Sequence, residues 1–238
     1  MSRITPVFLP GFSYQGSVWE NVSMNIPGSI LQDLPILSKR NSLNEVSNQL
    51  IQSLPDRCCL VGWSLGGLVA LHMAALFPEK INAIVLVCTN PCFIAKSSWP
   101  GIDAAEARAY RAAFRKNPIQ VLSEININNA KPQGDDEVIA YFAKHQTPFN
   151  QHPSWHSYLD ILYHHDLVPW IKASNMPMLH IAADCDPLCD TNVRNAIASI
   201  CSDNFQCELL KGAGHGCLYT HAEEITQMIM KFTSRTFS

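Results

Sequence analysis

The chain has 238 residues, 47% of them hydrophobic, and a formal net charge of -3. That length holds one or two domains with a buried core, and the charge balance creates no overall field for nucleic acid or an anionic membrane surface. No apolar run approaches the roughly 20 residues of a membrane helix, and Met1-Ser2-Arg3-Ile4-Thr5-Pro6 lacks the apolar stretch of a secretory leader. A cytoplasmic monomer without a cofactor is the expectation, with the 9 cysteines reduced and mostly buried. Their count is odd, and no C-x-x-C pair with zinc spacing occurs.

In chain order, Pro6-Val7-Phe8-Leu9 reads as a strand ending at Pro10-Gly11, and Ser29 to Leu34 as the next. Ser42-Leu43-Asn44-Glu45 has the spacing of a capping box and opens a helix to about Leu54. Cys58-Cys59-Leu60-Val61 is a buried strand, Leu65 to Phe77 an apolar helix stopped by Pro78, and Ala83 to Val87 another buried strand. From about Pro91 to Ser174 the pattern turns helical with Pro and Gly interruptions. Strand-helix order resumes at Met178 to Ala182, repeats at Gln206 to Leu210, and closes with a helix from about His221 to Phe232. Continuous apolar strands separated by helices imply a mostly parallel sheet covered on both faces. The expected organisation is an α/β core over 1–90 and 175–238, interrupted by a helical cap over 91–174.

Gly62-Trp63-Ser64-Leu65-Gly66 matches G-x-S-x-G between a predicted strand and a predicted helix, the context that the motif requires. Chance supplies roughly 0.08 such matches in a chain of this size at ordinary Gly and Ser frequencies, and the strand-before, helix-after setting lowers that further. A tight turn would lift the Ser64 hydroxyl above the strand ends. It would also aim the Leu65 N–H at a substrate carbonyl oxygen. The bland alternative is a Gly/Ser turn without chemistry.

A serine nucleophile needs a base, and the base an orienting carboxylate. Among 9 histidines, His215 stands out because Gly212-Ala213-Gly214-His215-Gly216 follows the last predicted strand. His221, at the start of the next helix, is the weaker candidate. Asp184 and Asp186 both follow the preceding strand. Asp186 precedes Pro187 and is preferred as the acid, whereas Asp184 could satisfy backbone N–H groups of the turn. The loop Leu9-Pro10-Gly11-Phe12-Ser13 should supply a second oxyanion donor, the N–H of Phe12, beside that of Leu65. Phe12, Trp63, Leu65, Tyr110, Phe114 and His215 are the expected substrate contacts.

Together these residues resemble the α/β-hydrolase superfamily over nearly the whole chain. Only one strand precedes the oxyanion loop, so the first two strands of the family's usual eight-stranded sheet are not expected here. Val61 to Gly67, Ser98-Trp99-Pro100-Gly101-Ile102, and Tyr158-Leu159-Asp160-Ile161-Leu162 with Asp166-Leu167 are further similar to the pimeloyl-[acyl-carrier protein] methyl ester esterases of biotin synthesis. That resemblance implies that Ser64 cleaves the methyl ester of a pimeloyl chain on acyl carrier protein, releasing methanol through an acyl-serine intermediate. The oxyanion loop departs from the family: many members have His-Gly where this chain has Pro10-Gly11, and Phe12 takes a place often held by Trp. The cap beyond Ile102 matches poorly.

Within the cap, Arg108, Arg111 and Arg115 are spaced as one helical stripe, with Tyr110, Phe114 and Ala107 on the opposite face. The stripe suits an acidic carrier protein, or is an ordinary solvated face. His152, His156 and Asp160 have helical spacing, but Pro153 and the lack of a metal-site glutamate motif speak against a metal. The competing functions are a carboxylesterase, thioesterase, lactonase or C–C hydrolase acting on a small molecule, a lyase using the same scaffold, and a ligand receptor with vestigial chemistry.

Overall fold

The computed structural model describes residues 4–38, 42–202 and 204–237. Met1, Ser2 and Arg3 of the N-terminal stretch lie outside the described residues. In chain order the elements are β1 (Thr5–Leu9), a 3₁₀ turn (Gly16–Trp19), α1 (Glu20–Ser23), β2 (Ile30–Leu31), α2 (Leu43–Leu50), β3 (Cys58–Trp63), α3 (Leu65–Leu76) and β4 (Ile81–Val87). Five helices follow before the sheet resumes: α4 (Ala104–Lys116), α5 (Pro118–Asn129), α6 (Asp136–His145), α7 (Trp155–His164) and α8 (Val168–Ala173), with a 3₁₀ turn at Phe149–Gln151. The chain then forms β5 (Met178–Ala183), α9 (Thr191–Ile200), β6 (Phe205–Leu210), α10 (Cys217–Thr220) and α11 (Ala222–Phe237).

The strands make one sheet in the order β2-β1-β3-β4-β5-β6, and every pairing is parallel. Alternating side chains build two cores, as the two-residue period of a strand demands. Val7, Leu9, Leu60, Ile84 and Leu86 point to a layer shared with α2 and α3. Phe8, Val61, Val85, Leu179 and Ile181 point the other way, onto Val22 of α1 and Ile225, Ile229 and Phe232 of α11. Burial on both faces is why β3 reads as an unbroken apolar run and β5 as one interrupted by the buried His180.

Local chemistry sets the element ends. Ser42 Oγ accepts from the Glu45 N–H at 3.1 Å and caps α2, as its sequence spacing implies. The regular helix stops at Leu50, four residues short of the expectation, because Pro55 forces the chain into turns. The strand expected over Ser29 to Leu34 shrinks to Ile30–Leu31. There the Asp33 carboxylate turns to the Gly16 N–H at 2.6 Å, and Pro35 brings no donor for a ladder. The last helix runs on to Phe237, past the expected end.

Strand order places the site. β1 lies between β2 and β3, so the chain reverses direction across the sheet at β1 and β3. In an open parallel sheet the crevice beyond the carboxyl ends of such strands is where ligands bind. Gly11 and Phe12 leave β1 at that point, and Ser64 leaves β3 beside them.

Candidate active site

Ser64 bridges β3 and α3 with φ 54° and ψ -118°. A non-glycine residue held there stores about 1–3 kcal/mol of strain, and its surroundings enforce it. The Ser64 N–H donates to Val87 O at 3.0 Å, and the Ser64 carbonyl accepts from Thr89 Oγ1 at 3.2 Å. The turn is so tight that a Cβ on Gly62 would lie 2.4 Å from the backbone of Gly66, and one on Gly66 would lie 2.3 Å from Leu9 O. The two motif glycines therefore let α3 start directly over the strand ends. Leu65 is the first residue of α3, so its N–H has no acceptor within the helix.

His215 sits in the loop between β6 and α10, and Asp186 in the loop after β5. His215 Nδ1 lies 2.8 Å from Asp186 Oδ2. The other carboxylate oxygen accepts from the Leu188 N–H at 2.8 Å. Burial alone would raise the pKa of Asp186. The neighbouring imidazole and the N–H groups of Leu188 and Cys189 outweigh it and hold the carboxyl below its ordinary value. A carboxylate fixed on Nδ1 leaves Nε2 as the nitrogen able to exchange a proton with a nucleophile. Asp184 takes the other part foreseen for it, accepting from the Gly212 N–H at 2.7 Å. His221 bonds Thr220 Oγ1 at 2.8 Å.

Ser64 and His215 line one cavity of about 580 Å³, together with Phe12, Trp63 and Tyr110. The size falls in the range of roughly 300–1,000 Å³ usual for small-molecule sites. The Phe12 N–H donates to none of the described residues. Phe114 is absent from the cavity wall. It stands behind Phe12, with ring centroids 5.6 Å apart, and so holds that side chain in place. Leu65 is fully buried and its side chain does not reach the cavity. Sequence reading overlooked Tyr14, Phe93, Ile125, Asn129 and Tyr163 on the wall. Most come from distant helices, and only the paired Asn126 and Asn129 on an otherwise apolar helix face offered a signal.

The arginine stripe is not one free surface. Arg111 forms an ion pair with Asp160 of α7, and both side chains are largely buried. Arg108 and Arg115 are exposed. The rim of the cavity beside α4 carries Asp103 and Glu106. His152 is not poised for a metal: its Nε2 lies 3.2 Å from Leu34 O, and its ring stacks on Trp155 at 4.0 Å. The ligand atoms of Cys88, Asp186 and His215 do lie within 4.8 Å of one another. Cys88 adds a thiol there and not a thiolate, because its bond with Cys217 and its burial both push its pKa up. All nine cysteines are free. Among the described residues no helix is long and apolar enough to cross a membrane.

A family model described as alpha/beta hydrolase fold matches residues 40–222. The chain belongs to the α/β-hydrolase fold family. This α/β-hydrolase is 26% identical to the pimeloyl-[acyl-carrier protein] methyl ester esterase of Pseudoalteromonas atlantica, over 96% of the chain and 94% of the relative. It is 25% identical to the enzyme of the same name from Aeromonas salmonicida, over 95% and 94%. The similarity thus reaches beyond the motifs to 95–96% of the chain. Among solved structures, the hydrolase olei00960 of Oleispira antarctica superposes with a TM-score of 0.83 at 18% identity, covering 98% of this chain and 92% of that one. A thermophilic esterase from Thermogutta terrifontis gives 0.81 at 16% identity, over 100% and 92%. At such identities these two likenesses speak to the fold.

Proposed function

We propose that this α/β-hydrolase is a serine carboxylesterase that cleaves the methyl ester of a pimeloyl chain carried on acyl carrier protein. The observation that carries the reading is the 2.8 Å contact of His215 with Asp186 over a cavity shared with Ser64. Ser64 Oγ attacks the ester carbonyl carbon while its proton passes to His215 Nε2. The carbonyl oxygen becomes an oxyanion facing the N–H groups of Phe12 and Leu65, each such donor being worth about 3 kcal/mol at the transition state. Collapse expels methoxide, which takes the proton from His215 and leaves as methanol. Water, deprotonated by the same nitrogen, then attacks the acyl-serine and releases the free carboxylate and Ser64. Asp186 keeps its charge throughout and steadies the imidazolium.

In this reading residues 91–174 form the cap, and the walls given by Phe12, Trp63 and Tyr110 grip the acyl chain. The names of the full-length relatives support the substrate. The exposed Arg108 and Arg115 are the remaining candidates to meet an acidic carrier, Arg111 being committed to Asp160. A cytoplasmic, monomeric enzyme goes with this assignment.

A second reading, a carboxylesterase for free small esters, is favoured by one observation. Asp103 and Glu106 at the cavity rim would repel an acidic carrier. Complementation of a biotin auxotroph lacking its methyl esterase separates the two. The first reading expects rescue by the wild-type chain and none by Ser64→Ala. A well-expressed wild-type chain that fails to rescue, yet hydrolyses p-nitrophenyl esters, would leave the second.

A further inference from the structure

The C-terminal turn of α5 touches both loops on which the proposed chemistry depends. On one side, the Tyr14 hydroxyl donates to Asn126 Oδ1 at 2.6 Å and accepts from Asn129 Nδ2 at 2.9 Å. Tyr14 lies two residues after Phe12, in a loop where Ser13 is held at φ 71°. Asn126 Nδ2 continues the chain to Gln146 Oε1 at 3.1 Å, and Gln146 Nε2 returns to Ser13 Oγ at 3.2 Å. On the other side, the same turn lies against the histidine loop. A Cβ on Gly214 would meet Lys131 O at 1.8 Å, and one on Gly216 would meet Asn129 O at 2.2 Å. The glycines around His215 are therefore required by the close approach of this helix end.

Tyr14, Asn126 and Asn129 are all buried. Burial also raises the Tyr14 pKa well above its ordinary value, so the phenol keeps the proton that it donates. A third link closes the group. The Tyr14 ring packs on Trp63 at 5.2 Å, and Trp63 Nε1 donates to His215 O at 2.9 Å. Each amide and the hydroxyl has a partner, which is the condition under which a buried polar network rigidifies its surroundings.

We propose that Tyr14, Asn126 and Asn129 are positioning residues, a buried bracket that sets the Phe12 N–H in register with His215. The helix that roofs the cavity is then also part of what aligns the catalytic loops. The inference rests on the serine-esterase reading. It adds that oxyanion stabilisation depends on a hydrogen-bonded hydroxyl that need not touch the substrate.

The test uses Tyr14→Phe, which keeps the ring on Trp63 and removes only the hydroxyl, with Asn126→Leu and Asn126→Asp beside it. Asn126 does not line the cavity, and Asp retains an acceptor for the phenol. Activity on p-nitrophenyl butyrate is normalised by active-site titration, so that loss of folded protein does not count. Tyr14→Phe and Asn126→Leu should lower kcat at least tenfold while KM changes less than threefold. Asn126→Asp should recover most of the rate. Affinity for a trifluoromethyl ketone, whose Ser64 adduct carries an oxyanion, should fall by the same factor as kcat/KM. Unchanged kcat and ketone affinity in Tyr14→Phe, even with a lower Tm, would reduce the bracket to a structural contact and overturn the proposal. Ser64→Ala is run in parallel: full activity there would sink the serine reading itself, and the bracket with it.

Discussion

Asp186→Asn tests the acid-base pair with the fewest side effects, because it preserves shape and removes only charge and symmetry. The two carboxylate oxygens now each face a donor, one His215 Nδ1–H at 2.8 Å and the other the Leu188 N–H at 2.8 Å, with the Cys189 N–H close by. An amide has one acceptor and one donor end, so it cannot satisfy both. If its oxygen stays on His215, its NH₂ points at the buried Leu188 N–H. If it turns to Leu188, its NH₂ faces Nδ1, which must then be unprotonated. The proton moves to Nε2, and the imidazole can no longer accept one from Ser64. Loss of the correct tautomer costs about 10⁴ in kcat in a comparable triad, or about 5.5 kcal/mol of barrier. The assay is steady-state hydrolysis of p-nitrophenyl butyrate near neutral pH, with the melting temperature recorded alongside. A loss smaller than tenfold in a folded variant would refute the assignment of Asp186.

Further expectations follow from particular contacts. Gly66→Ala should cost about 3 kcal/mol or more, seen as insoluble or low-melting protein, because the new methyl would sit 2.3 Å from Leu9 O. A soluble, wild-type-like variant would contradict the packing. His180 is buried with its pKa lowered from 6.5 to about 4, chiefly by desolvation, and Nε2 lies 3.0 Å from Thr89 O. The unfolded chain then binds a proton that the folded one refuses, so stability should fall by about 3 kcal/mol as pH drops from 6.5 to 4. His180→Gln keeps a donor near Thr89 O and should flatten that slope in urea unfolding series; an unaltered slope would count against it. The depressed Asp186 carboxyl acts lower, its contribution being lost only as pH falls below the ordinary carboxylate range. Arg111→Glu should destabilise by about 2 kcal/mol by facing Asp160 with like charge, whereas Arg115→Glu should stay within about 0.5 kcal/mol. Equal effects of the two on Tm would show that the ion pair does not form.

What the sequence made legible was what is local. β1, β3, β4 and β5 announce themselves by dense apolar runs, and the elbow by its glycine spacing, Gly62 being required by the backbone of Gly66 four residues on. Asp186 and His215 were legible because each directly follows a strand that ends at the same crevice. The arginine stripe misled because spacing tells which residues share a helix face but not what faces them, and Asp160 lies 49 residues beyond Arg111. Phe114 lies off the cavity wall for the same reason: an inward face can be a second layer, as its contact with Phe12 shows. Tyr14 was invisible as part of the site because its partners Asn126 and Asn129 are more than a hundred residues away. β2 fell short because one carboxylate, Asp33, preferred a turn amide to the strand.

The central claim is that Ser64 carries the acyl group. Reaction with a fluorophosphonate ester, followed by intact-mass and peptide mass spectrometry, examines it directly. One phosphonyl group per chain, located on Ser64, with activity lost in proportion and no labelling of Ser64→Ala, is the expected result. Activity that survives full labelling, or a Ser64→Ala protein that still turns over esters, would contradict it.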